Sequence, residues 1–591
     1  MRFGNRSILL AALCVIALVF IAFGASLTQD FSPIDDSFLI INNAAAHGIT
    51  WDHLKTVFTS YDPELYIPFT FVSFQLNYIL SGLSAWSYHL TNLLLHSANA
   101  LLVGWLLLLL TSRRGVAIAV ALIFAVHPLH TEAVVWIAGR KDLLATLFFL
   151  LSFITYLKSH ERGWRLLMVS LLFFLCALLS KVVVVTLPIV LILSDLFLER
   201  RSIDTRMILE KVPYILLSGV FFVIALGGKE RVLASSSLWE TGLMAAKSSV
   251  FYLEKLFVPL HLSVFYPFDG SISLGSPAFF IPIILVLALL GIAFWAFRRA
   301  PWISFGILFY FITLGPTFFN FHKGSQMFFG VDRYAYIPSI GFLIVVTLIG
   351  SDLLDRWTRH ASSLAKNIAV TIVVLIFSVL SMLQTMTWNS PETLYIHAME
   401  LYPASPFTRA NVSMLYRTEG NFQKAFSVLK EGLQYGDSSM LRMEAGLTYS
   451  AAGQVDDART QFEAVMEEEP ENPDAVYYLG FLDEHDGNID GAIAYYEKAV
   501  AQDPSYVVAR TALGNLLLQK GNRDGAQEQY EESIQWNPNA TDAYIGLAVI
   551  LSLKGDSEGA KVEIDAAKAL DTSAEQRFET LKSRVTLAPA F

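Results

Sequence analysis

The sequence predicts an all-α protein in two parts: a polytopic helical membrane domain of about eleven spans over residues 1–390, then an α-solenoid of short repeats over 406–574. Three observations predict this. Of the 591 residues, 54% are hydrophobic and 16% charged, where a soluble protein carries roughly 25% charged residues. The deficit is confined to residues 1–390, while 400–591 has ordinary soluble composition. The second half also repeats itself every 34 residues.

Crossing a hydrocarbon core of ~30 Å takes about 20 residues. Apolar runs of about that length fall near 7–27, 86–111, 115–136, 142–158, 164–180, 182–198, 212–228, 277–297, 302–320, 335–352 and 366–388. The first follows Arg2 and Arg6 and shows no small-residue cleavage pattern, so it reads as a retained signal anchor. The stretch 243–262 is interrupted by Lys247, Glu254, Lys255 and Pro259 and reads as an interfacial or re-entrant helix. With a cytosolic N-terminus, the inner loops carry Arg113-Arg114, then Lys158 to Arg165, then Arg200-Arg201 with Arg206 and Lys211. Arg298-Arg299 follow, then Arg356, Arg359 and Lys366. Such a basic bias marks the cytosolic side. The repeats are then expected outside, in the periplasm of a bacterium or the lumen of the endoplasmic reticulum of a eukaryote.

The outer face collects the unusual polar groups. The long first loop, 28–85, carries Asp35-Asp36 directly after Pro33-Ile34. The same face receives His127-Pro128-Leu129-His130-Thr131-Glu132, Arg140-Lys141-Asp142, Lys181, Lys229-Glu230-Arg231, His322-Lys323 and Asp332-Arg333-Tyr334. Basic residues are disfavoured in short translocated loops. Arg140, Lys181, Lys229 and Arg333 therefore point to a phosphate-bearing ligand, or to pairing with the neighbouring acids Asp142, Glu230 and Asp332. His89, Asn92, His96 and Asn99 share one helix face. A polar stripe inside a membrane faces protein or a water-filled cavity. Interhelical hydrogen bonding is the expectation for Asn92, His96 and Asn99, with His89 nearer the outer pocket. His127, His130 and Glu132 carry a zinc alternative, weakened because Pro128 breaks the helix between the two rings; binding of an anionic phosphate is the other reading. Cys14 and Cys176 both lie in apolar runs, so neither a disulfide framework nor a zinc site is built from cysteine. The net charge of −10, with the acid concentrated in the second half (Asp456-Asp457, Glu467-Glu468-Glu469, Glu531-Glu532), excludes nucleic acid as a partner.

In the second half, Gly446, Gly480 and Gly514 are 34 apart, as are Ala458, Ala492, Ala526 and Ala560, Phe462, Tyr496 and Tyr530, and Pro470, Pro504 and Pro538. This is the tetratricopeptide pattern. It is strong over 439–472, 473–506 and 507–540 and looser at 406–438 and 541–574, as terminal repeats of a solenoid are. A linker is expected at 391–405 and a tail at 575–591. The repeats carry no cluster of nucleophile and base; they read as a groove for a polypeptide. Asn411-Val412-Ser413 and Asn539-Ala540-Thr541 match the N-glycosylation pattern.

Asp35-Asp36 with Ile40 and Asn42, Tyr66-Ile67-Pro68-Phe69-Thr70 through Asn77-Tyr78, and Tyr88-His89-Leu90 with Asn92 and His96 resemble the TMTC proteins, the transmembrane and tetratricopeptide-repeat O-mannosyltransferases. So do Phe124 to Val134 around His127-Pro128-Leu129-His130-Thr131-Glu132, Gly139-Arg140-Lys141-Asp142, Ser180-Lys181 and Arg333-Tyr334-Ala335-Tyr336-Ile337-Pro338. Ile67 and Val182 depart from the family pattern, which usually has Arg and Glu there. The resemblance implies a GT-C glycosyltransferase fold and an inverting transfer of a sugar, mannose in the family, from a polyprenyl- or dolichyl-phosphate donor to a Ser/Thr hydroxyl of a protein. Its acidic pair maps onto Asp35 and Asp36. Asp36, ahead of Asp35, is then the expected base, with Glu132 orienting the basic groups. Arg140, Lys181 and Arg333, with His127 and His130, are expected to hold the donor phosphate, and His89 and Asn92 to support the pocket. A divalent cation on Asp35 and Asp36 stays open. The rival readings are a non-enzymatic membrane-anchored scaffold for envelope or secretory assembly, and a GT-C enzyme acting on glycan or lipid.

Overall fold

A computed structural model gives the fold over residues 5–32, 34–61, 65–229, 237–268, 270–323, 326–357, 362–571 and 573–587. Arg2, Pro33, Glu230, Arg231 and Arg359 lie outside the described residues, as do the side chains of Arg6, Lys229, His322 and Lys323. The chain divides into two compact units, Met1–Leu401 and Tyr402–Phe591.

In the first unit, α1 (Asn5–Phe23) leads through a 3-10 turn into the first loop, which holds α2 (Trp51–Thr59) and α3 (Pro68–Ser81). α4 (Ala85–Thr111), α5 (Arg114–Ala125), α6 (Thr131–Val135), α7 (Arg140–Arg162), α8 (Trp164–Ser180) and α9 (Leu187–Leu193) follow. Then come α10 (Thr205–Lys229), α11 (Leu238–Phe257), α12 (Pro277–Ala296), α13 (Pro301–Leu314), α14 (Pro338–Trp357), α15 (Ser362–Met386) and α16 (Pro391–Leu401). Short strands β1 (Tyr266–Pro267), β2 (His322–Lys323) and β3 (Gln326–Gly330) pair antiparallel in the order β1-β3-β2.

Among the described residues, seven helices are long and apolar enough to cross a membrane, the continuous parts of seven of the eleven expected runs. An eighth run, 115–136, is a pair of helices bent by 54°. Pro128 supplies the bend: the residue before a proline avoids helical backbone, and His127 is extended at φ −71°, ψ 125°. Of the remaining three, α7 is 23 residues long and carries charge at both ends, α8 has 17 residues, and 182–198 is split into 3-10, α and π turns. The stretch 243–262 falls largely on α11 and is not among the seven. The expected linker 391–405 contains α16, whose Leu394 and Ala398 join the core of the first unit.

The second unit is five antiparallel helix pairs, from Pro406–Thr418 with Phe422–Gly432 to Thr541–Leu553 with Ser557–Leu570. A last helix, Ala574–Leu587, occupies most of the expected tail and buries Phe578 against the final pair. Ala458, Ala492 and Ala526 are fully buried. A Cβ on Gly446, Gly480 or Gly514 would stand 2.4, 2.8 or 2.7 Å from the ring of Phe462, Tyr496 or Tyr530, so the repeating glycine is the seat of the repeating aromatic.

Candidate functional site

The site lies where the N-terminal end of α7 meets the first loop, α6 and the turn before α14. Gly139 makes the junction possible: a Cβ there would stand 2.7 Å from the Ala133 carbonyl. The chain therefore doubles back tightly from α6 into α7, and Trp136, Lys141 and Asp142 sit beside Glu132. Gln29 donates to the Thr385 carbonyl at 2.9 Å, tying the first loop to the end of α15.

The acidic pair divides in two. Asp36 is fully buried, and its two oxygens accept the backbone N–H groups of Ser32 at 2.8 Å and Ala138 at 2.9 Å. Burial pushes its carboxyl up to about 7, against the pull of those two bonds. Asp35 keeps 42% of its side chain exposed and stands 3.7 Å from the Lys141 ammonium. Asp35 is thus the more accessible of the two carboxylates, and Asp36 pins the loop.

Lys141, Lys181 and Arg333 gather on two aromatic faces. Lys141 Nζ is 4.5 Å from the Trp136 ring and the Arg333 guanidinium 4.9 Å from the same ring. Arg333 is 5.3 Å, and Lys181 Nζ 5.6 Å, from the Tyr334 ring. Their acids are Asp35 for Lys141, Asp142 for Lys181 at 2.5 Å, and Glu132 for Arg333. Glu132 also accepts the Arg333 backbone N–H at 2.8 Å. Burial lowers the Arg333 guanidinium, but Glu132, Tyr334, Asp142 and Asp35 together more than offset it and hold the charge. Within this cluster Trp136 Nε1, Arg333 Nε and Asp142 Oδ2 are buried with no hydrogen-bond partner in the protein. Buried polar atoms are nearly always paired, so two orphaned donors beside three cations mark a place for an anion.

Three expected phosphate ligands are elsewhere. Arg140 is fully buried and donates to Asn92 Oδ1 at 2.9 Å, Asn77 Oδ1 at 2.5 Å and the Tyr88 carbonyl at 2.8 Å, between the Phe74 and Tyr88 rings. It clamps α3, α4 and α7 together and has no N–H turned to a ligand. His127 accepts the Leu129 N–H on Nδ1 and meets the Leu256 carbonyl with Nε2 at 3.1 Å. His130 meets the Phe124 carbonyl at 2.9 Å and Ser339 Oγ at 3.1 Å. Both rings are fully buried and their nitrogens are taken by the bend, by α11 and by α14, so they converge on no zinc. Asn92 donates to the Trp136 carbonyl at 3.0 Å and accepts from Arg140, a supporting role. His96 and Asn99 meet the Tyr336 hydroxyl at 2.6 and 3.3 Å, the interhelical bonding expected of the stripe. His89 is buried with neither ring nitrogen paired. Ile67 is buried in the core.

Both Asp36 oxygens accept backbone N–H groups and the Lys141 ammonium stands at Asp35. Among the described residues, one His/Asp/Glu group has metal-like spacing, His160, Asp195 and Glu199, near the far end of α7. There Arg201 Nη1 lies 2.8 Å from His160 Nε2 and 3.1 Å from Asp195 Oδ2, so a guanidinium fills the position. Sequence reasoning gave no role to Trp136, and named Tyr334 only as the neighbour of Arg333; their signal was an aromatic four residues before Arg140 and one directly after Arg333.

The tetratricopeptide-repeat family matches residues 443–507, 484–532 and 517–585. Human Protein O-mannosyl-transferase TMTC1 is 25% identical over 71% of this chain and 54% of its own length. Mouse TMTC3 is 26% identical over 70% and 50%, and human TMTC4 26% over 70% and 64%. The chain is similar to the TMTC O-mannosyl-transferases. It spans about half the length of the first of these TMTC relatives. Among solved structures, MamA is 24% identical over 29% of this chain and 97% of its own, with a TM-score of 0.24. YrrB, a TPR protein with an unusual peptide-binding site, is 21% identical over 31% and 97%, at 0.25.

Proposed function

We propose that this chain is an integral-membrane glycosyltransferase of the GT-C class. It moves a sugar, mannose by analogy with its relatives' names, from a polyprenyl-phosphate donor to a Ser/Thr hydroxyl of a protein on the non-cytosolic face. The observation that carries this is the gathering of Lys141, Lys181 and Arg333 on Trp136 and Tyr334 beside the exposed Asp35. In a single displacement, Asp35 accepts the hydroxyl proton and the acceptor oxygen bonds to the anomeric carbon. The bond from that carbon to the phosphate oxygen breaks, and the electron pair leaves with the lipid phosphate. The configuration inverts. A carboxylate in hydrogen-bond reach of the nucleophile contributes about 10²–10⁴-fold. The three cations and the Trp136 N–H stabilise the departing phosphate, and preorganised donors of this kind are often the largest contribution to rate. Asp36, Glu132 and Asn92 hold these groups in place. The repeats present the acceptor polypeptide or a partner protein.

The test is sugar transfer from a labelled polyprenyl-phosphate donor in membranes. Asp35→Asn is expected to lower the rate at least ~100-fold with donor binding retained, and Arg333→Ala to weaken donor binding itself. Absence of donor binding by the unaltered protein would leave a membrane-anchored scaffold.

A further inference from the structure

A cavity of about 260 Å³ opens at the end of α4 remote from the candidate site, between α4, the turn after α9, α13 and α14. Its walls are apolar: Leu107, Phe197, Phe305 and Leu348 are buried there, with Trp302 at the side. Its rim is cationic, with Arg113 from the end of α4 and Arg200 from the turn before α10. We propose that this cavity binds an anionic phospholipid of the cytosolic leaflet, with part of an acyl chain between Phe197, Trp302 and Leu348 and the headgroup phosphate on Arg113 and Arg200.

Three further observations support that occupant. First, both guanidinium groups stand at left-handed turns of the backbone, the one at Ser112 also capping α4. Of the three non-glycine residues at positive φ among the described residues, one is Arg200 (φ 52°) and another is Ser112 (φ 54°), directly before Arg113. Left-handed backbone is unfavourable for residues with a side chain, and such outliers cluster where a ligand is held. Second, the neighbour of Arg200 is locked inward. Arg201 donates to Asp195 at 3.1 Å and to Glu210 at 2.9 Å, and Lys211 reaches the same Asp195 oxygen at 2.6 Å. With Arg201 committed to the interior, Arg200 stays exposed at the rim. Third, the one acid on Arg113 does not block it. The Arg113–Asp352 pair, at 2.8 Å, has side chains 50% and 39% exposed, and exposed pairs of this kind hold weakly, so a phosphate competes. A guanidinium fork suits a phosphate's oxygens, and a tryptophan beside it matches the polar–apolar boundary of a bilayer.

The test uses the full chain in phosphatidylcholine bilayers carrying increasing fractions of phosphatidylglycerol with brominated chains. Quenching at Trp302 is read as the difference between the unaltered protein and Trp302→Phe. The expected result is a preference for phosphatidylglycerol over phosphatidylcholine of about tenfold, falling to near one in Arg113→Gln/Arg200→Gly. Glycine keeps the left-handed backbone at 200, so folding is not at issue there. Equal association of the two lipids with the unaltered protein, or a preference that survives the double substitution, would overturn the proposal. Loss of the preference on adding inorganic phosphate would also overturn it, since the ligand would then be a free anion.

Discussion

Asp35 and Asp36 are adjacent, yet one meets solvent and the other is sealed against two backbone N–H groups. Their substitutions should therefore part company. Asp35→Asn is expected to spare stability and abolish transfer, whereas Asp36→Asn is expected to change stability and its pH dependence. The Asp36 carboxyl, raised from its ordinary 3.8 to about 7, holds its proton more tightly in the folded state. Its contribution to stability is then greatest below pH 4, declines as pH rises to about 7, and is level above. Melting of the detergent-solubilised protein from pH 4 to pH 8 should show that decline, and Asp36→Asn should remove it. The acidic pair stood out in the sequence; the difference in burial between its members did not, because two neighbours in a loop differ only in where the remainder of the fold puts Ser32 and Ala138.

At the scale of elements, the bend at Pro128 and the stripe on α4 were both legible, since proline chemistry and a three–four spacing act locally. The partners of Arg140 were not. Its guanidinium answers Asn77, Tyr88 and Asn92, residues that only helix packing brings together, and the sequence suggests Asp142 as the nearer companion. Arg140→Lys should leave Asn77 or Asn92 unsatisfied, at a cost of about 1–3 kcal/mol for each buried group. The measurement is a lower melting temperature with transfer falling in step, unlike Asp35→Asn. In the repeats, the 34-residue period marked both the glycines and the aromatics but not that one seats the other; Gly480→Ala should cost about 1–3 kcal/mol by overpacking Tyr496, seen as faster proteolysis within the repeat array. The turn glycines, Gly453, Gly487, Gly521 and Gly555 at φ 75 to 83°, follow the same 34-residue spacing and were an unread part of the signal.

For the whole molecule, composition alone separated the two units within about ten residues of the division at Leu401. The sidedness of the membrane rests on the basic loops and is open to a direct check. Asp524→Cys, in the repeats, should react with an impermeant maleimide from the non-cytosolic side, and Arg162→Cys, at the end of α7, only from the cytosol. The reverse pattern would invert the topology. The Arg140 clamp bears on assembly as well. Residues 77, 88 and 92 leave the ribosome 63, 52 and 48 residues ahead of the cation that ties them. Until α7 arrives, the side-chain oxygens of Asn77 and Asn92 lack the guanidinium that answers them, and for Asn92, inside α4, a hydrocarbon environment offers no substitute donor. The packing of α4 in the bilayer is thus complete only once α7 has joined it.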